Sequence, residues 1–458
     1  MSLSTSSLRA GIHAEHHDEA AFLYTQLARL RFDAGTPFGR LLDFERRLVA
    51  HVDALVLGGP AASRTVADLH DDSEPGHWYV AALLACRQRD DALVENLVCS
   101  SAAGCMELKA DCHAAVVDAL RHAMPFDWNV KLSDWIERAG EPLAAELAEL
   151  AVTTGVACQA ALQQRAPSAG AYSGRLVRAL GRAGAAGPAS TWLIDRAGNA
   201  HAAPVRRDAL LALANLGAPQ APALARQFVD QAQVSHRALG LIGGREDAHR
   251  LVRYLAARPA HAETLIALGL LGDLAAVRPL IALLAHETLG AVAADALEWI
   301  TGAGLRETVL ESHNGKPLAE GAYLGARVGT KVGTNRGQVH KGRLDETAVE
   351  RVCRNPDAWL DWLDEAAPEF VAGRRYRFGK SWTPQVLVDS LAEEHCPCSY
   401  RQLAFDELAM RLAAPQRLDL RFSVSRQMAL LQALQAWARR IGTGQEIEQW
   451  PYAGLVAG

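Results

Sequence analysis

The chain has 458 residues, half of them apolar, with 47 basic and 52 acidic side chains and a formal net charge of -5. That length allows two or three domains around a large core, and no apolar run is long enough to span a bilayer. The near-balanced charge, without a basic stripe, argues against nucleic acid as a partner, and the opening MSLSTSSLRAGIHAEHHDE, too polar for a leader, points to a cytoplasmic protein.

In chain order, residues 1 to about 12 read as frayed. Glu15 to Phe32 is an amphipathic helix with Phe22, Leu23, Leu27 and Leu30 on its apolar side. A Gly35–Pro37 turn leads to a second helix, Phe38 to Leu57, which Gly58-Gly59-Pro60 ends. Further helical segments follow near 76–87, 90–103, 107–124, 128–138 and 141–154, without a clear period. Residues 1–165 are thus an N-terminal helical region, either degenerate repeats or a cap.

A period appears next. Ala-Leu-x-x-x-Gly occurs at Ala179–Gly184, Ala212–Gly217, Ala238–Gly243 and Ala267–Gly272, with a looser Ala296–Gly302. The steps from Gly to Gly are about 33, 26, 29 and 30 residues. Leu180, Leu213, Leu239 and Leu268 are the core positions of this repeat; Gly184, Gly217, Gly243 and Gly272 are its helix stops in the left-handed conformation. The small Ala before each Leu lets paired helices approach closely. Asp273 can cap the helix that follows it, and Asp247 sits early in another. A helix–Gly turn–helix unit of this size cannot bury its own apolar face and must stack on its neighbours. The fold class is therefore all-α: a right-handed α-solenoid of HEAT-like repeats over 166–305, with a small, mostly helical C-terminal module. The short period is similar to the variety first described in phycobilisome lyases.

The texture changes at 306–350. Gly321 to Gly342 is Gly-rich, and five Lys or Arg stand between Arg327 and Arg343, as in a basic linker or long loop. The module at 351–441 opens with Trp359 and Trp362 on one short helix. Phe370 to Trp382 reads as a hairpin-like or irregular turn region. Three helices follow, Pro384–Glu394, Ser399–Leu412 and Phe422–Arg440, and 442–458 is a loose tail.

Several segments together resemble a bacterial family of HEAT-repeat proteins of uncharacterised function. His16 to Tyr24 (HHDEAAFLY) and Arg46 to Leu55 (RRLVAHVDAL) are similar to its N-terminal motifs. Phe370, Gly373, Arg375, Tyr376, Gly379 and Thr383 fit its Phe-x-x-Gly-x-Arg-Tyr-x-x-Gly-x-x-x-Thr stretch. Arg401-Gln402 with Glu407-Leu408-Ala409 fits the next segment, and Arg426-Gln427 the last. The resemblance covers nearly the whole chain. It departs at the linker, which is basic here and commonly acidic in relatives. Members are met in type VI secretion gene clusters, beside genes for tip proteins and effector adaptors. The resemblance thus implies a context, with a secretion cargo, tip or effector protein as partner, and no reaction.

Among residues that could carry chemistry, His13, His16 and His17 have the i, i+3, i+4 spacing of a chelate, beside Glu15 and Glu19. The plainer account is a solvated first helical turn with acidic residues at its favourable end. The eight cysteines read as free thiols, and Cys396-Pro397-Cys398 is too tight for a zinc knuckle. No metal or cofactor is implied. Deoxyhypusine hydroxylase needs recurrent His-Glu pairs, and only His286-Glu287 occurs. For bilin lyases, nothing beyond the repeat speaks. The Gly-rich 325–342 lacks Gly-x-x-x-x-Gly-Lys-Ser/Thr. Helical-repeat DNA glycosylases need a positive concave face; residues 306–458 hold 20 basic and 19 acidic side chains, which leaves 1–305 mildly acidic.

The strongest candidates lie in the C-terminal module. Arg375, Tyr376, Arg401, Gln402, Arg426 and Gln427 bring planar donors near Trp359 and Trp362, and Arg and Trp favour binding hot spots. Arg forks could instead clamp carboxylates inside the module and hold its helices. No catalytic constellation stands out, so the expectation is a non-enzymatic adaptor or chaperone. The alternatives are a ligand-binding or enzymatic C-terminal module, or a toxin-neutralising partner.

Overall fold

The structure, a computed structural model, describes residues 5–32, 36, 38–66, 69–70, 73–99, 109–166, 173–184, 188–200, 202–312, 346–366, 369–393, 396, 398–415, 418–442 and 450–452. The Gly-rich segment 325–342 and most of the tail lie outside them. Among the described residues the chain is all-α apart from two short antiparallel strand pairs, and no helix is long and apolar enough to cross a membrane. The chain forms two compact units. One comprises residues 1–31, 38–196 and 417–430; the other comprises 32–37, 197–416 and 431–458. The stretch 351–441, read from sequence as one module, contributes to both.

The first unit begins with α1 (Thr5–Leu30) and α2 (Phe38–Val66). α1 starts well before the expected Glu15, so His13, His16 and His17 lie inside a helix and not in its first turn; His13 and His17 are buried. Gly59, at φ 58°, breaks the helical ladder of α2 as the Gly-Gly-Pro signal predicts. Pro60 then restarts it, because a first-turn position needs no N–H. Next come α3 (Pro75–Gln88), α4 (Asp91–Cys99), α5 (Ala110–Ala123), α6 (Leu132–Arg138), α7 (Glu141–Thr154), α8 (Gln159–Arg165) and α9 (Ser173–Arg182). They alternate in their packing. α1 packs on α3, α3 on α5, α5 on α7 and α7 on α9, while α4 packs on α6 and α6 on α8. Leu23, Val52, Trp78, Leu83 and Val116 lie in its core.

α10 (Pro188–Asn199) precedes the second unit, whose α11 (Ala203–Asn215), α12 (Ala221–Gln227), α13 (Ala232–Ile242), α14 (Arg245–Ala257), α15 (Ala262–Leu271), α16 (Val277–Ile281) and α17 (Gly290–Thr301) follow. α11, α13, α15 and α17 carry the Ala-Leu copies and pack each on the next. The contact recurs at one repeat position. A Cβ on Gly240 of α13 would come within 2.7 Å of Cα of Ala267 on α15; one on Gly269 of α15 would come within 3.0 Å of Cβ of Ala296 on α17. The residue after Leu in one copy thus abuts the Ala of the next. Leu180, Leu213, Leu239 and Leu268 are all buried, each contributing about 1.5–3 kcal/mol of apolar burial.

The helix stops are not uniform. Gly184, Gly217, Gly272 and Gly302 have φ of 73°, 66°, 68° and 59°, as left-handed C-caps do. Gly243 does not: its φ is -70° and ψ 163°. The chain runs there straight into α14, where Gly244 N–H donates to Asp247 Oδ2 at 2.9 Å. Gly243 is needed for closeness instead, since a Cβ would collide with the Leu239 carbonyl. Asp273 caps a short 3-10 turn, Leu274–Ala276, by accepting from Ala275 N–H at 2.9 Å.

The segment read as linker contains strands at both ends. β1 (Arg306–Ser312) pairs antiparallel with β2 (Glu346–Val352), Val309 opposite Val349. Thr308, Val309, Thr347, Val349 and Val352 supply the β-branched residues that favour strands. After α18 (Pro356–Ala366) comes the tight hairpin of β3 (Tyr376–Arg377) and β4 (Lys380–Ser381), then α19 (Pro384–Ala392), α20 (Cys398–Leu412) and α21 (Val424–Gly442).

Candidate functional site

Residues 375–382 lie on the C-terminal ends of two repeat helices. A helix end exposes carbonyls without intrahelical partners and carries partial negative charge. Arg375 donates to Leu271 O at 3.1 Å and Leu270 O at 2.8 Å. Arg377 donates to Gly269 O at 2.7 Å and Leu270 O at 2.6 Å. The backbone joins in, with Tyr376 N–H on Gly272 O at 2.9 Å and Phe378 N–H on Trp299 O at 2.7 Å. Arg411 of α20 serves α13 in the same way through Gly243 O at 3.0 Å.

One carboxylate gathers these cations. Glu407 accepts from Arg375, from Arg377 at 2.9 Å and from Trp382 Nε1 at 3.0 Å, and lies 3.5 Å from Arg411 Nε. Every charged side chain in this group is fully buried. Three guanidiniums against one carboxylate leave an excess of positive charge, which the helix-end carbonyls offset. Burial works to raise the Glu407 carboxyl, and Arg375, Arg377 and Arg411 outweigh it, so it lies below the usual carboxylate range. Burial and the neighbouring cations push Arg411 down to about 10 and Arg375 well below its ordinary value.

The hairpin turn places a ring beside this clamp. Phe378 and Gly379 have φ of 48° and 76°. Two consecutive positive-φ residues make the turn type that suits a two-residue hairpin, where Asn-Gly is usual. A Phe in that position is strained by about 1–2 kcal/mol. The Phe378 ring meets Tyr400 edge-on at 5.0 Å, and the residue lines a cleft of about 440 Å³ with Trp362 and Phe370. Glu365, Glu369 and Lys380 stand around the cleft, and the backbone of Thr301–Ala303 forms part of its wall. The concavity is open and mostly polar in its lining, and the strained turn beside it marks it as a candidate contact site. Trp359, Trp362, Phe370 and Tyr376 form a run of edge-to-face rings, 6.0, 6.1 and 4.9 Å apart, buried at both ends and meeting the cleft at Trp362 and Phe370.

The eight candidate binding residues therefore have different places. Trp359 is buried and donates to Cys353 O at 2.7 Å. Arg375 and Tyr376 are buried in the clamp, and Arg401 is buried with a hydrogen bond to Glu393 O at 2.9 Å. Gln402 bonds Asp406 one turn along α20 at 3.0 Å. Arg426 and Gln427 belong to the first unit. Arg426 stacks 3.6 Å over Phe422, and buried Gln427 donates to Leu420 O and Phe422 O at 2.9 and 2.7 Å. Burial removes Trp359, Arg375, Tyr376, Arg401 and Gln427 from direct surface contact. Trp362 alone of the eight lines the cleft. Phe378, Glu407 and Arg411, not among the eight, complete the arrangement. The Arg375-Tyr-Arg377 alternation was the available signal, because a strand places both Arg on one face.

A second polar group closes the first unit around residues 418–427. Arg121 bonds Asp118 and lies 2.9 Å from Asp419. Arg421 reaches Glu146 at 2.7 Å and Glu149 at 2.6 Å. Glu45 accepts from Val424 N–H at 2.9 Å and caps α21. His122 donates from Nε2 to Arg421 O at 2.7 Å and accepts from Tyr79 OH at 2.8 Å. Burial and the Arg31 charge push the His122 imidazole down to about 3. Among the described residues Cys86, Cys112, Cys158, Cys353 and Cys396 are buried and in no disulfide. No family model matches this chain, and no curated protein or solved structure matches it.

Proposed function

We propose that this chain is a non-enzymatic protein-interaction scaffold: a right-handed HEAT-like α-solenoid over the repeats, with C-terminal segments that lock the ends of its helices. The observation that carries the reading is the recurrent contact of Gly240 on Ala267 and Gly269 on Ala296, the signature of units that bury their faces on one another. The conspicuous polar residues support it. Arg375, Arg377, Arg411 and Glu407 are consumed in capping and pairing, which is structural work. The docking feature is the open cleft beside Trp362, Phe370 and Phe378, whose lining is mostly polar; with Glu365, Glu369 and Lys380 around it, it suits a polar or charged segment of a protein partner. The family resemblance supplies the partner class: a type VI secretion cargo, tip or effector protein, held as by an adaptor or chaperone.

The test is co-expression with the proteins encoded beside it, followed by affinity purification and mass spectrometry. A stable complex that Trp362→Ala abolishes, with the thermal transition unchanged, is the expected result. Absence of any complex, or a complex indifferent to Trp362→Ala, overturns the reading of the cleft.

A further inference from the structure

The N-terminal helices carry a side-chain group that the scaffold does not use. α3 approaches α1 closely at Gly76, where any Cβ would run into the Ala21 carbonyl. That approach sets His77, the next residue, against His17 and Asp18 of α1. The two imidazoles lie 4.9 Å apart, edge to face, and His77 Nε2 is 3.2 Å from Asp18 Oδ1. One ligand atom from each of the three residues falls within 4.8 Å of the other two.

We propose that His17, Asp18 and His77 bind a divalent transition ion of the zinc class. The independent sign is the state of the ring nitrogens. His17 is 7 % exposed, and its Nε2 is buried without a hydrogen-bond partner. Buried polar atoms almost always have a partner, and an ion is one of the explanations when they lack one. The contact of His77 Nε2 with Asp18 leaves this nitrogen unsatisfied. Two imidazoles and one carboxylate suit zinc, cobalt or nickel better than calcium or magnesium, which take oxygen shells. In a tetrahedral shell with bonds of about 2.0 Å, ligand atoms lie about 3.3 Å apart. Asp18 and His77 are already at that separation, and the His17 ligand atom lies within 4.8 Å of both. Three protein ligands leave one position for water or a partner's ligand. The chelate weighed from sequence, His13 with His16 and His17, is not formed: His16 pairs instead with His51 of α2, Nδ1 to Nδ1 at 3.0 Å.

The experiment uses the full chain, stripped by a chelator and titrated with cobalt(II) and then zinc(II). One cobalt per chain is expected, with a tetrahedral d–d spectrum and no thiolate charge-transfer band. Asp18→Ala and His77→Ala should each weaken zinc binding at least tenfold and cancel the zinc-induced rise in the melting temperature. His51→Ala should leave binding unchanged. The Asp18 side chain is 73 % exposed, so Asp18→Ala folds even if His77→Ala does not. A thiolate band, binding that survives Asp18→Ala, or binding lost in His51→Ala overturns the assignment.

Discussion

Replacing Glu407 by Gln tests the clamp. Gln keeps the shape and an acceptor oxygen and removes the single negative charge among Arg375, Arg377 and Arg411, all fully buried. Breaking a buried pair so that charge is left uncompensated costs about 3–5 kcal/mol. The helix-end carbonyls of Gly269, Leu270 and Leu271 still receive the Arg375 and Arg377 donors, which argues for the lower part of that range. For a domain of this size a loss of 1 kcal/mol lowers the melting temperature by about 2–4 °C, so a fall of roughly 6–20 °C is expected. Differential scanning calorimetry reads it. Because the group is buried, the difference between wild type and variant should be the same at low and high salt. A shift under about 2 °C, or one that vanishes in salt, would refute the claim that this carboxylate holds the hairpin and α20 to the repeat ends.

Gly240→Val should lower stability by about 1–3 kcal/mol through overpacking, since Ala267 Cα lies within 2.7 Å of the added Cβ. Gly244→Ala, with open space around it, should change the melting temperature by no more than a degree or two. His122 has a folded-state pKa of about 3, below its unfolded value, so acidification protonates the unfolded chain first. Its contribution is complete above about pH 6.5 and is lost as pH falls toward 3, at up to about 1.4 kcal/mol per pH unit. His122→Gln should therefore flatten the fall in stability between pH 6.5 and 5; an unchanged slope contradicts the assignment. Phe378→Asn accommodates the positive φ and loses the edge-on contact with Tyr400, two effects of about 1 kcal/mol that oppose each other, so the melting temperature should change little while the complex weakens at least tenfold.

The local periodicities were legible in the chain. The helices at 76–87 and 141–154 appear within a residue or two of their expected bounds, because apolar spacing and caps are short-range signals. Gly184, Gly217 and Gly272 cap as read, since a left-handed C-cap depends on the residue itself. Gly243 escaped because the same dipeptide context can serve closeness or chirality, and only the start of α14 decides which. The site was less legible, as its bonds are long-range: Arg375 to Leu270 spans 105 positions and His17 to His77 spans 60. The hairpin-like character of 370–382 was visible, and so was the option that its Arg forks clamp carboxylates. Glu407 as their shared acceptor was not, because nothing in its own segment marks it.

The most direct measurement is hydrogen–deuterium exchange on the purified complex with a protein encoded beside this chain. Protection gained on binding is expected at residues 301–303, 362–366, 369–370 and 378–380, around Trp362 and Phe378. Protection elsewhere, with these segments exchanging as in the free protein, would contradict it.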